Sequence, residues 1–141
     1  MTRFIFTVLS IAYIASIFLL AGSPIVQISA TFNPYSLLHI PLYGILTALL
    51  ILSFVPISHS SNNPLTQSTN GSMTKLPNNL IPRFIIAGLI ALGVAVADEI
   101  YQIYVPGRKA SATDILLDAI GIVLVLLVFH RIFKPIQTGV F

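Results

Sequence analysis

The chain has 141 residues, 56% of them hydrophobic and 8% charged, where soluble domains carry roughly a quarter charged residues. Its mean hydropathy of +0.96 means more apolar surface than so small a body can hide from water. That excludes an ordinary soluble domain; the expectation is one integral membrane domain over residues 1–141 with no appended soluble module. A net charge of +3 and a pI near 9.5 are too small a basic excess for a nucleic-acid groove, so no nucleic-acid partner is expected. In a membrane protein such an excess mostly reflects loops held on the cytoplasmic side. There is no cysteine, hence no disulfide, thiolate nucleophile or Cys-based zinc or iron–sulfur site.

A helix crossing the hydrocarbon needs about 20 apolar residues, and four runs of that size follow one another. The first covers 4–21 and is closed by Gly22-Ser23-Pro24. Arg3 followed by an apolar run resembles a secretory signal, but the run is long for one, and a retained transmembrane helix is expected. The second covers 39–57, with Pro41 near its start, where a proline is tolerated. The third opens near Pro82 and is cleanly apolar only to Ala97. That is too short to span, so it is expected to run 82–104 and to hold Asp98 and Glu99 inside it. The fourth covers 114–133 and stops before Pro135. The fold class is therefore all-α: four transmembrane helices in an up-down bundle.

The longest connection, 58–81, is rich in Ser, Asn, Thr and Pro with Gly71 and reads as a polar loop without a site-like cluster. The lysines and arginines set the orientation. With the N-terminus inside, Arg3, Lys75, Arg83, Arg131 and Lys134 fall on the cytoplasmic side, and Arg108 and Lys109 outside. Both termini are thus expected in the cytoplasm of a multi-pass protein of a bacterial-type cytoplasmic (inner) membrane.

This topology gathers the unusual residues at one end. His39 and Tyr43 open the second span, Asp98, Glu99 and Gln102 close the third, and Asp114 and Asp118 open the fourth. All four acids therefore meet near the outer headgroup region, with Arg108 and Ser111 in the turn between the last two spans. Glu99 and Gln102 share a helix face, as do Asp98 and Gln102. Asp98 and Glu99 themselves point about 100° apart and are not expected to face one lipid-free groove equally. Asp114, Asp118 and Gly121 form a single stripe in which Gly121 lets another helix approach closely. Ala87, Ala91 and Ala95 give the third span a small-residue packing seam. Pro106-Gly107 reads as the turn presenting Arg108, since glycine there permits a positive φ.

The string Asp98-Glu99-Ile-Tyr-Gln102, Pro106-Gly107-Arg108, Ser111, Asp114, Asp118, Gly121 resembles the signature of the VanZ-like membrane protein family. His39, Tyr43 and Leu46 resemble the family's second-helix motif, a histidine followed one turn later by a tyrosine. The resemblance covers the second to fourth spans, about two-thirds of the chain. It implies a small four-helix envelope protein of a family named for low-level teicoplanin resistance. The family often has asparagine where this chain has Asp118, and a lysine where it has Ser36.

The residues leave several chemistries open. Carboxylates on two helices can act as a lock that clamps the outer turn through Arg108 and Lys109. The same cluster can bind an envelope lipid or glycopeptide, Arg108 pairing with a carboxylate or phosphate while Glu99 and Asp114 take amine or hydroxyl groups. Metal binding through His39 and the acids, or acid–base catalysis with Ser111 and Thr113 nearby, is a weaker signal. Neither a metal nor a cofactor is expected, and no catalytic residue is assigned. His39 taken alone reads as a packing histidine, and His59 and His130 as incidental. The leading expectation is a non-catalytic VanZ-like envelope protein. The competing ones are a small accessory subunit of a larger membrane complex and a membrane-embedded enzyme.

Overall fold

In lipid every backbone polar group must find its partner within the protein, which leaves helices as the economical way for a chain this apolar to cross. The structure, a computed structural model, describes residues 2–23, 34–55, 80–108 and 110–133. They form four helices: α1 (Thr2–Ala21), α2 (His39–Phe54), α3 (Leu80–Ile103) and α4 (Ala112–Ile132). There is no strand among the described residues. The chain is an all-α, polytopic membrane bundle, each span long and apolar enough to cross. The connection 58–79 and Lys75, Lys109 and Lys134 lie outside the described residues.

The helix bounds follow the hydropathy closely, and the departures have local causes. The second span is the shortest, 16 residues of α-helix, but a 3-10 segment, Pro34–Leu38, runs straight into it. At about 1.5 and 2.0 Å per residue the two together reach roughly 34 Å, enough for the hydrocarbon core. Pro41 sits in the first turn of α2, where no intrahelical donor is lost. The third span runs through both acids to Ile103, as expected. Several serine and threonine hydroxyls inside the spans bond within their own helices: Ser10 donates to the Phe6 carbonyl (2.8 Å) and Thr47 to that of Tyr43 (2.7 Å), the usual solution away from water.

Long-range contacts fix the up-down order. At one end Arg3 of α1 and Arg83 of α3 both reach the last carbonyls of α2, and Phe133 after α4 lies beside Phe84 of α3. At the other end Phe18 of α1 meets Tyr101 of α3, and the starts of α2 and α4 lie side by side. Helix α2 packs on all three others and supplies much of the core through Tyr43, Leu46, Leu50 and Ile51. The alanine seam of Ala87, Ala91 and Ala95 is buried in the same cluster. Large side chains such as Phe4, Leu19, Leu89 and Ile132 point outward, as a lipid-facing surface requires.

Gly121 is where α4 and α2 come closest. A Cβ built there would collide with the Ile40 carbonyl oxygen and lie 3.0 Å from its carbon. Since these are backbone atoms, a larger residue has no side chain to push aside. This close approach brings the first turns of α2 and α4 within hydrogen-bonding reach of each other.

Candidate functional site

The stripe that carries Gly121 also carries Asp118 and Asp114, one and two turns earlier, so both carboxylates face α2. Asp118 Oδ1 lies 2.9 Å from His39 Nδ1, and Asp114 Oδ1 accepts the hydroxyl of Ser36. The His39 and Tyr43 rings stack in near-parallel planes (16°) with centroids 6.3 Å apart, so the pair on α2 presents one continuous polar edge to α4. His39–Asp118 is the one ion pair among the described residues.

Helix α3 closes the cluster from the other side. Gln102 sits one turn after both acids, and its Nε2 donates to Asp98 Oδ2 (3.1 Å) and, more weakly, toward Glu99 Oε1 (3.5 Å). Asp98 and Glu99 do not face one groove, as their separation of about 100° implies, yet both are buried, each 3% exposed. They do point in different directions, but α3 has neighbours on both sides. Asp98 turns toward Tyr43 of α2, while Glu99 turns toward the start of α4.

The turn between α3 and α4 is tied down by the same residues. Gly107 has φ 83°, the left-handed turn conformation that glycine accepts without strain, and the Arg108 N–H returns to the Val105 carbonyl at 3.1 Å. Arg108 Nη1 then donates to Gln102 Oε1 (3.1 Å), and the Ser111 backbone N–H donates to Glu99 Oε2 (2.7 Å). Arg108's part in the lock expected between the acids and the basic pair thus takes another form, while Lys109 lies outside the described residues. Arg108 reaches an amide oxygen, and the carboxylate holds the turn through a backbone N–H. Ser111 makes no side-chain capping bond to α4.

All nine residues singled out from the sequence (His39, Tyr43, Asp98, Glu99, Gln102, Arg108, Ser111, Asp114 and Asp118) converge at this end. Ser36 joins them; in the sequence it stood out only as a departure from the VanZ-like pattern, where a lysine is common. Unmarked in the sequence were Arg3 and Arg83 at the opposite end, which donate to carbonyls of α2's last residues. Arg3 Nε lies 3.3 Å from the Ser53 oxygen, and Arg83 Nη1 lies 3.0 Å from that of Phe54.

Two features set the acidic end apart chemically. First, four buried polar atoms in it have no hydrogen-bond partner among the described residues: the Tyr43 hydroxyl and Asp98 Oδ1, whose side chains face each other, together with Asp118 Oδ2 and Arg108 Nε. Buried polar atoms are nearly always satisfied, so four in one place mark a site with spare donor and acceptor capacity. Second, one ring nitrogen of His39 and one carboxylate oxygen each of Glu99 and Asp114 lie within 4.8 Å of one another, a spacing that a metal ion could bridge. Comparison of the chain with protein-family models, curated proteins and solved structures gives no match.

Proposed function

We propose that the chain is a non-catalytic, VanZ-like membrane protein of the cell envelope that binds a lipid-linked or glycopeptide-type molecule, or modulates access to one. The polar end of the bundle is its binding site. The observation that carries this reading is the group of buried atoms on Tyr43, Asp98, Arg108 and Asp118 that have no hydrogen-bond partner among the described residues. A purely structural lock has no use for them, whereas a ligand's hydroxyl, amine and phosphate groups would complete them. The acids outnumber the cations there, which suits a ligand carrying an amine beside its anionic groups. The residues that carry the VanZ-like resemblance supply most of this cluster.

In this reading the acidic end lies at the outer face of a bacterial-type cytoplasmic membrane. The basic excess on Arg3, Lys75, Arg83, Arg131 and Lys134 keeps both termini inside. The test is binding of envelope lipids to purified wild-type protein and to Asp98→Ala and Asp114→Ala variants in lipid nanodiscs, with helical circular dichroism verifying that each variant folds. Wild-type binding that falls at least tenfold in folded variants supports the reading. Binding that is absent, or equal in all three proteins, overturns it.

A further inference from the structure

We infer that the polar end also holds one divalent transition-metal ion, ligated by His39, Glu99 and Asp114 and braced by Asp118. The inference stands on geometry alone and does not depend on which envelope ligand the protein takes. Its first support is the ligand set: an imidazole nitrogen and two carboxylate oxygens mutually within 4.8 Å, contributed by α2, α3 and α4. Three helices that converge on one point form a more rigid frame than a loop.

The second support is the state of the histidine. Its Nδ1 is 2.9 Å from Asp118 Oδ1, and Asp118 is 1% exposed. When Nδ1–H donates to that carboxylate, the tautomer is fixed and the lone pair is left on Nε2. This is the carboxylate–histidine arrangement that orients metal-bound imidazoles and raises their basicity. The third support is the charge balance. Asp118 Oδ2 is buried with no hydrogen-bond partner among the described residues, in an end where, among those residues, four carboxylates face only Arg108 and the His39 ring as cationic groups. Buried anionic charge without a counter-charge is costly, and a divalent ion removes that cost.

The donor set also selects the ion. Calcium and magnesium prefer all-oxygen shells, whereas a nitrogen with carboxylates suits Zn2+ or Mn2+. Three protein ligands leave coordination positions open, so oxygen groups of a bound molecule can complete the shell.

The test uses tag-free, full-length protein in nanodiscs, stripped with chelator and dialysed against Zn2+, Mn2+ or Ca2+ alone, with metal quantified per chain. One equivalent of Zn2+ or Mn2+ is expected. Affinity should fall at least tenfold in His39→Ala and in the near-isosteric Glu99→Gln, and 10- to 100-fold in Asp118→Asn. The exposed His130 at the far end of α4 is the control, and His130→Ala should bind as wild type does. Co2+ substitution should give a visible spectrum that changes in His39→Ala. Absence of stoichiometric binding by folded wild-type protein overturns the inference. So does a preference for Ca2+, or binding that folded Glu99→Gln retains in full. Stoichiometric metal binding by a protein that binds no envelope lipid would leave this inference standing while overturning the ligand reading.

Discussion

The two ends of the bundle solve the same problem, polar groups at the margin of a membrane, in opposite ways. At the Arg3 end, two arginines donate to the terminal carbonyls of α2, groups that every helix leaves without an intrahelical partner. Positive charge at a helix C-terminus is also favourable. At the acidic end the bonds run between side chains of α2, α3 and α4 and the turn, and four buried atoms remain unmatched among the described residues. An end built only for stability would resemble the first. That difference is what the proposed binding role of the acidic end rests on.

Five single substitutions, and one double, would break or sharpen that contrast. The largest effect is expected for His39→Ala, which leaves the Asp118 carboxylate buried without its partner. The loss should be about 3 kcal/mol, read from unfolding in detergent by circular dichroism. Adding Asp118→Leu should recover much of it, because the stranded charge is then gone as well. Next comes Gly121→Ala, whose Cβ would meet the backbone of Ile40. It should cost about 1–3 kcal/mol and loosen ligand binding, since α2 and α4 must separate. Arg3→Gln and Arg83→Gln should each cost roughly 0.5–1 kcal/mol and leave ligand and metal binding untouched; a change in binding would mean that the two ends are coupled. The smallest effect is expected for Val128→Ala on the lipid-facing side of α4, within about 0.5 kcal/mol.

How far the sequence reaches depends on the distance over which each feature is determined. The spans are legible because crossing a membrane demands a contiguous apolar run, a purely local property, and only the 3-10 entry to α2 escapes that reading. The Asp114–Asp118–Gly121 stripe is equally legible, since helical periodicity places three residues on one face whatever lies opposite. The joint burial of Asp98 and Glu99 is not, because a 100° separation decides burial only once the positions of α2 and α4 are known. The arginine caps on α2 are hidden for the same reason: Arg3 and Ser53 are 50 residues apart, and nothing local to either announces the other. The convergence of nine candidate residues at one end followed from topology alone. The bonds that Arg108 and Ser111 make there did not, because they depend on the shape of the turn.

The most direct test of the account is native mass spectrometry of the protein released gently from its own membrane, compared with the Glu99→Gln and Asp114→Ala variants. The account predicts a wild-type chain carrying an envelope-derived molecule at a stoichiometric level, with that mass lost or sharply reduced in folded variants. A wild-type chain that emerges bare, or bound only to stoichiometric protein subunits, would contradict it and make the acidic end an interface or a lock.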